Sequence, residues 1–413
     1  MTTVRTLALL AALLAALLPA APLAAEEPLS LAETMRRARE NAREVTAARA
    51  RQQAAEARAS QATGFRLPSV NLTALWTRTN NPAEVFALKL NQGTFSFPDF
   101  VQSDPNSPAP INAGITRAEI VLPLFTGGEL STRVDQARLA AAAAGQSADW
   151  SGNAAALAAA EAYVMVAQAE EYARLLAKAR ETVAAHVALA RNYVEQGMLV
   201  RSELLRAEVE LSRIDDLVAE ADGRVRVANA NLAFRLGAPG DEAWSLAPLP
   251  EPRPLEGAVG PWLDTAASRP DLVSAQKLLA AGELEEKARK ASYWPKLAFV
   301  ARGELYGDHV FGSSGTNGSL VAVATWNVFA GGSDHAAAVA AREEARAGRE
   351  DVARFNEGVR LEVRQAFEEA RTAEARSLTA RKALEAAREV ERITNERVRS
   401  GVGKMLDLLD APT

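Results

Sequence analysis

From Leu204 onward the apolar positions fall at Leu204, Ala207, Leu211, Ile214, Val218, Ala221, Val225, Ala228 and Leu232, in steps that alternate between three and four. That spacing is a heptad seam, which a solitary solvated helix does not need. Upstream, Gly128 to Gln196 reads as one helix of about 68 residues, roughly 100 Å at 1.5 Å per residue. Few globular domains can house such a helix, whereas a coiled coil can. Alanine is frequent along both stretches, so the backbones are expected to pack closely.

Elsewhere the period is two. Val70, Leu72, Ala74 and Trp76 alternate with Ser69, Asn71, Thr73 and Thr77. Leu297, Phe299, Ala301 and Leu305 alternate with Lys296, Arg302 and Glu304. Returning strands run through Ala118, Ile120 and Leu122, then through Leu320, Ala322, Ala324 and Trp326. Four strands of about ten residues with one apolar face have the length and alternation of membrane β-strands. A further helix is expected from Leu31 to about Ala62, ending before Gly64 and Pro68, with Ser30 as its cap and Glu33 completing a capping box.

The same series of elements occurs twice. Leu124-Phe125-Thr126-Gly127-Gly128 recurs 204 residues later as Val328-Phe329-Ala330-Gly331-Gly332. That offset carries Gly197 to Gly401 and Tyr163 to Phe367, while Arg66-Leu67-Pro68 matches Tyr293-Trp294-Pro295 at an offset of 227. The reading is therefore a first repeat over 26–239, with a β-hairpin at 66–125, and a second over 268–413, with a hairpin at 295–329. A Pro-rich linker, 240–267, joins them. The excess length of the first copy lies between Asn80 and Ala113. That segment carries Phe86, Phe95, Phe97 and Phe100, too many for a freely solvated loop. It is expected to fold over the outer mouth of a barrel or against a neighbour.

Residues 1–25 have Arg5, an apolar run from Leu7 to Leu18 and small residues up to Ala25, the form of a secretory signal peptide. Hydrophobic residues make up 48% of the chain, yet the mean hydropathy is −0.10, which excludes a polytopic helical membrane protein. A net charge of −5 argues against nucleic acid as a partner. With no Cys and only three His, thiolate catalysis, disulfides and His- or Cys-rich metal sites are excluded or disfavoured. The double glycines lack the Lys-Ser/Thr of a phosphate loop, and so does Gly312 to Gly318, which reads as a surface hairpin loop. No cofactor, metal or enzymatic activity is expected.

Four strands cannot close a barrel, and open sheet edges are not tolerated in lipid. Chains must pool their hairpins. Three copies would supply twelve strands and six long helical hairpins, a barrel continued by a helical tube. The expected fold is mainly α with a small β part: two tandem repeats of coiled-coil hairpins plus four strands given to a trimeric 12-stranded membrane β-barrel.

In the order and duplication of these motifs the chain resembles the TolC-like outer membrane efflux protein family. The motifs are Leu122-Pro123-Leu124-Phe125-Thr126-Gly127-Gly128, its repeat ending Gly331-Gly332, and turns at Gly197 and Gly401. The resemblance covers nearly all of residues 29–411. It implies a homotrimeric channel in outer membrane lipid, projecting into the periplasm and serving as the exit duct of a tripartite efflux or type I secretion system. It also implies a periplasmic adaptor (membrane fusion) protein and an inner-membrane pump of RND or ABC type as partners. A secreted or periplasmic coiled-coil scaffold without channel activity is the alternative.

The turns Gly197 to Leu205 and Gly401 to Leu409 have two readings. By chemistry alone, glycine supplies the left-handed helix exit, and Ser202 or Asp407 caps the returning helix. By resemblance, the tips form the closed aperture and meet the adaptor, involving Gly197, Arg201, Ser202, Glu203, Gly401 and Lys404. Asp407 and Asp410 match the family's pore-facing aspartates and, at i, i+3, share a helix face. Three copies would place two carboxylate rings at a constriction, favouring cations; capping and solvent exposure is the competing reading. Ser202 and Glu203 match latch positions, with Val398 where an aromatic hydroxyl is usual and Gly403 where Arg is usual; Lys404 or Arg201 would substitute. Gly127, Gly128, Gly331 and Gly332 mark the strand-to-helix bends. Trp76 and Trp326 read as interfacial belt residues or packed aromatics. About forty residues follow Gly197 up to Gly237, but only twelve follow Gly401, so the second hairpin's return helix is expected to be missing.

Overall fold

A computed structural model describes residues 28–101, 104–239 and 244–399. The predicted signal segment, together with Gly401, Gly403, Lys404, Asp407 and Asp410, lies outside the described residues. In chain order the elements are α1 (Leu31–Asn41), α2 (Arg43–Gly64), β1 (Ser69–Thr79), α3 (Pro82–Asn91), α4 (Pro98–Val101), β2 (Ile111–Phe125), α5 (Glu129–Glu195) and α6 (Arg201–Leu236). After these come α7 (Gly260–Ala266), α8 (Pro270–Lys290), a 3₁₀ turn (Ala291–Tyr293), β3 (Lys296–Gly307), β4 (Gly315–Thr325) and α9 (Ser333–Arg399). Both α5 and α9 have 67 residues, about 100 Å of helix each. Among the described residues no helix is long and apolar enough to cross a membrane.

The strands form one antiparallel sheet in the order β1-β2-β3-β4. Its register reproduces the sequence repeat. Val70 faces Ile120 in the first hairpin, and their counterparts at offsets 227 and 204, Leu297 and Ala324, face each other in the second. The bends into α5 and α9 repeat as well. Gly127 and Gly331 both have φ 64°, and Gly128 and Gly332 have φ 87° and 85°, the left-handed region in which glycine carries no steric cost. Glu129 N–H donates to Thr126 O and Thr132 N–H to Gly128 O; Ser333 to Ala330 and Ala336 to Gly332 repeat both bonds.

Three expectations are corrected. The first helix is broken at Ala42 (ψ 139°), which separates α1 from α2. Ser30 does cap it, accepting from Glu33 N–H at 3.2 Å, but the Glu33 carboxylate turns to Arg36 and Arg37 instead of completing a capping box. Those two guanidiniums hold its pKa down at about 2. The β3–β4 loop is also shorter than read, because Gly315 to Gly318 already belong to β4.

The chain divides into two compact units that cut across the repeats. One gathers the residues up to Val45, Gly152–Pro254 and those from Glu374 on. Its core is a coiled coil: Val183 and Val187 of α5 meet Ala207 and Ile214 of α6, flanked by Leu204, Leu211 and Val218. A second cluster packs Ala159, Ala162, Tyr163 and Val166 against Leu232 and Leu236. The buried Tyr163 hydroxyl reaches the carbonyls of both Leu29 (2.9 Å) and Ala247, tying the segment after α6 to the residues just before α1. The other unit, Thr46–Ser151 with Leu255–Ala373, holds the sheet. There Ser274 donates to Ala143 O, so Ser147 is the donor in the 2.9 Å contact between the two hydroxyls. Arg133 and Gln136 of α5 both bind Glu285 of α8.

Candidate channel-lining face and hairpin tip

The register places side chains in rows across all four strands. Val70, Ile120, Ala301 and Leu320 form one row, and Leu72, Ala118, Gly303 and Gly318 the next on the same face. This face is apolar and exposed: Val70, Leu72 and Leu320 retain 70%, 68% and 74% of their accessible surface. Trp76 lies exposed towards one end of it, and Trp326, whose indole N–H donates to Tyr293 O at 3.1 Å, just beyond the other.

The opposite face holds Asn71, Glu119, Arg302 and Ser319 in one row and Thr73, Arg117, Glu304 and Asn317 in the next. Across β2 and β3 the charges neutralise one another: Arg302 pairs with Glu119 and Arg117 with Glu304, each at 2.6 Å. The Tyr306 hydroxyl donates to Glu304 at 2.8 Å. Of the six charged residues in the strands, five lie on this face; Arg78, at the end of β1, is the exception. A Lys or Arg facing lipid at the bilayer midplane costs roughly 2–4 kcal/mol, so this segregation assigns the apolar face to lipid and the charged face to water. β1 and β4 are left as open edges.

At the end of the sheet away from the helix bends, α3 lies on the charged face. Asn81 caps it, accepting from Ala83 and Glu84 N–H, and Pro82 occupies its first turn. Leu88 packs with Ala113 and Tyr306 beside Ile111 and Ile115, all on that face. The buried Gln92 amide donates to Gly307 O (2.7 Å) and Asn112 O (3.2 Å). Asn317 donates to Asn91 at 3.0 Å. Gly315 has no room for a side chain, since a Cβ there would lie 1.8 Å from Asn91 O. The segment expected to be a loop over the mouth is thus partly a helix docked on the sheet.

The tip between α5 and α6 is closed by a Schellman motif. Gly197, at φ 71°, donates to Val194 O (3.0 Å), and Met198 to Tyr193 O (2.8 Å). The cap of α6 is Val200, which offers no side-chain bond; Ser202 sits inside the first turn and is not the cap expected from sequence. Glu203 pairs with Arg206 at 3.1 Å, and Arg201 and Ser202 are exposed. Met198, Val200 and Leu205 give the tip an exposed apolar surface.

The sequence pattern of outer membrane efflux proteins matches residues 34–238 and 264–413. The chain belongs to the outer membrane efflux protein family. A search of curated protein sequences finds no match. Solved structures with the same fold include the outer membrane protein VceC of Vibrio cholerae (TM-score 0.72, 17% identity, 92% of this chain and 89% of that one). The Campylobacter jejuni CmeC outer membrane channel is similar at TM-score 0.76 and 14% identity over 92% and 79% of the two chains. The open state of the Neisseria gonorrhoeae MtrE outer membrane channel is similar at 0.68 and 18% over 92% and 82%. In this family member the four glycines Gly127, Gly128, Gly331 and Gly332 stand at the two bends, and Gly197, Arg201, Ser202 and Glu203 cluster at one tip. Two features went unread in the sequence. The pairing of Arg117 with Glu304 and Arg302 with Glu119 depends on β2–β3 register. Helix α3 was signalled by Asn81-Pro82 with Glu84 in the first turn, a start signature inside a segment read as loop.

Proposed function

We propose that three copies of the chain pool their sheets into one 12-stranded barrel in outer membrane lipid and form the exit duct of a tripartite efflux or type I secretion system. The observation that carries this reading is a sheet with one lipid-compatible face, one charged face and two open edges, from one end of which two helices of about 100 Å leave. The two repeats meet at β2–β3, where a Cβ on Gly127 would come within 2.5 Å of Ala291 O; its counterpart Gly331 faces open space. A neighbouring copy's first repeat fits that space by the same junction. A periplasmic scaffold would instead leave Val70, Leu72 and Leu320 in water.

In this reading the duct is passive and catalyses nothing. Its helices project into the periplasm, where the apolar tip beside Gly197, Arg201, Ser202 and Glu203, and the second tip with Gly401 and Lys404, dock the adaptor. The adaptor joins the duct to an RND- or ABC-type pump. Asp407 and Asp410 line the constriction. The tandem repeats, 26–239 and 268–413, are the units of its pseudo-sixfold ring. Purification in detergent with native mass spectrometry and planar-bilayer recording tests it: trimers that conduct are expected, and a soluble monomer without conductance would refute it.

A further inference from the structure

Helix α3 has two apolar sides. Leu88 is turned to the sheet, and Val85, one turn earlier on the same side of the helix, is buried as well, at 8% and 4% exposure. Ala83, Phe86, Ala87 and Leu90, at i, i+3, i+4 and i+7, form a second stripe, and all four are exposed. Phe86 is braced edge-to-face by Phe95, with centroids 5.2 Å apart. The helix is anchored to the charged face by Leu88, Gln92 and Asn91, at the end of the sheet remote from the helix bends. In a barrel the charged face is the lumen and that end opens outward. Beyond its own Phe95, the stripe there is turned towards the α3 helices of the other copies and the passing cargo.

Resting on the trimeric duct proposed above, we infer that the exposed stripe of α3 meets the same stripe of the other two copies and forms an apolar constriction at the outer mouth. A ring of Phe86 and Leu90 side chains in a water-filled lumen resists wetting, so it narrows the outlet for hydrated solutes independently of the periplasmic tips. The partner is a second and third copy of this chain. The stripe's apolar character suits side-to-side helix contact, and it lies on the side of α3 opposite Leu88, the side that faces the other copies across the lumen.

The chain has no cysteine, which makes the test direct. Leu90→Cys is a surface change, since Leu90 is 49% exposed. In trimers treated with a mild oxidant it is expected to yield covalent dimers. A separate readout uses Asn71→Cys, on the charged face further into the barrel, labelled from outside the cell with a bulky impermeant maleimide. Adding Phe86→Ala and Leu90→Ala is expected to raise the labelling rate roughly tenfold, because a dewetted neck is removed. Conducting trimers with no Leu90→Cys cross-link, or with equal labelling rates, would overturn the constriction and leave the duct standing. Absence of trimers would overturn both.

Discussion

If two copies join as the two repeats join within one chain, the register between them follows residue by residue. Within the chain Ile120 of β2 faces Ala301 of β3. The repeat offsets of 204 and 227 carry that pair to Ala324 of one copy and Ala74 of the next. Directly opposed residues of antiparallel strands have Cα atoms roughly 4.5–5.5 Å apart, inside the range a disulfide spans. Within one chain β1 and β4 are opposite edges of the sheet, three strand spacings or at least about 14 Å apart, too far for a bridge. The Ala74→Cys, Ala324→Cys double variant should therefore give covalent trimers on non-reducing gels after oxidation in membranes. Moving the second cysteine to Val323 turns it to the other face, because a one-residue slip inverts every side chain, and should abolish the cross-link. Efficient bridging through position 323, or none at 324 in trimers that conduct, would refute the transfer of register.

Gly197→Ala adds a Cβ into open space but keeps φ 71°, so about 1–2 kcal/mol of backbone strain should lower the melting temperature of the α5–α6 hairpin without new clashes. Leu88→Ala should cost roughly 2–5 kcal/mol locally, seen as faster hydrogen exchange or proteolysis around α3 while the rest of the sheet stays protected. Burial pushes the pKa of His186 below its ordinary value, so the folded hairpin binds the proton less readily than the unfolded chain. Stability is therefore full above the unfolded pKa, roughly 6.5, and falls as the pH drops below it; His186→Gln should remove that share of the slope in thermal melts between pH 8 and pH 5. Asp407→Asn with Asp410→Asn should weaken cation preference in bilayer recordings with a smaller change in conductance, and unchanged selectivity would remove both aspartates from the constriction.

Local periodicity was enough for much of this protein. The heptad seam from Leu204 to Leu232 announced the α5–α6 coiled coil because a helix buries one stripe, and Ala207, Ile214 and Ala221 are buried along it. Alternation from Val70 to Trp76 and from Leu297 to Leu305 marked which face of each strand is apolar, since strand side chains alternate strictly. The double glycines marked the bends because few other residues adopt a left-handed φ at low cost. What lay beyond reach depends on partners distant in sequence. Whether Arg117 meets Glu304 is decided by the register between strands separated by the whole of α5 and α6. The docking of α3 is decided by Gly315, Gly307 and Asn112, which come together only once the sheet exists. The break at Ala42, fully buried beside Val45 and Ala155, is likewise an outcome of packing, where tertiary contacts outweigh the few tenths of a kcal/mol to about 1 kcal/mol that local propensities supply.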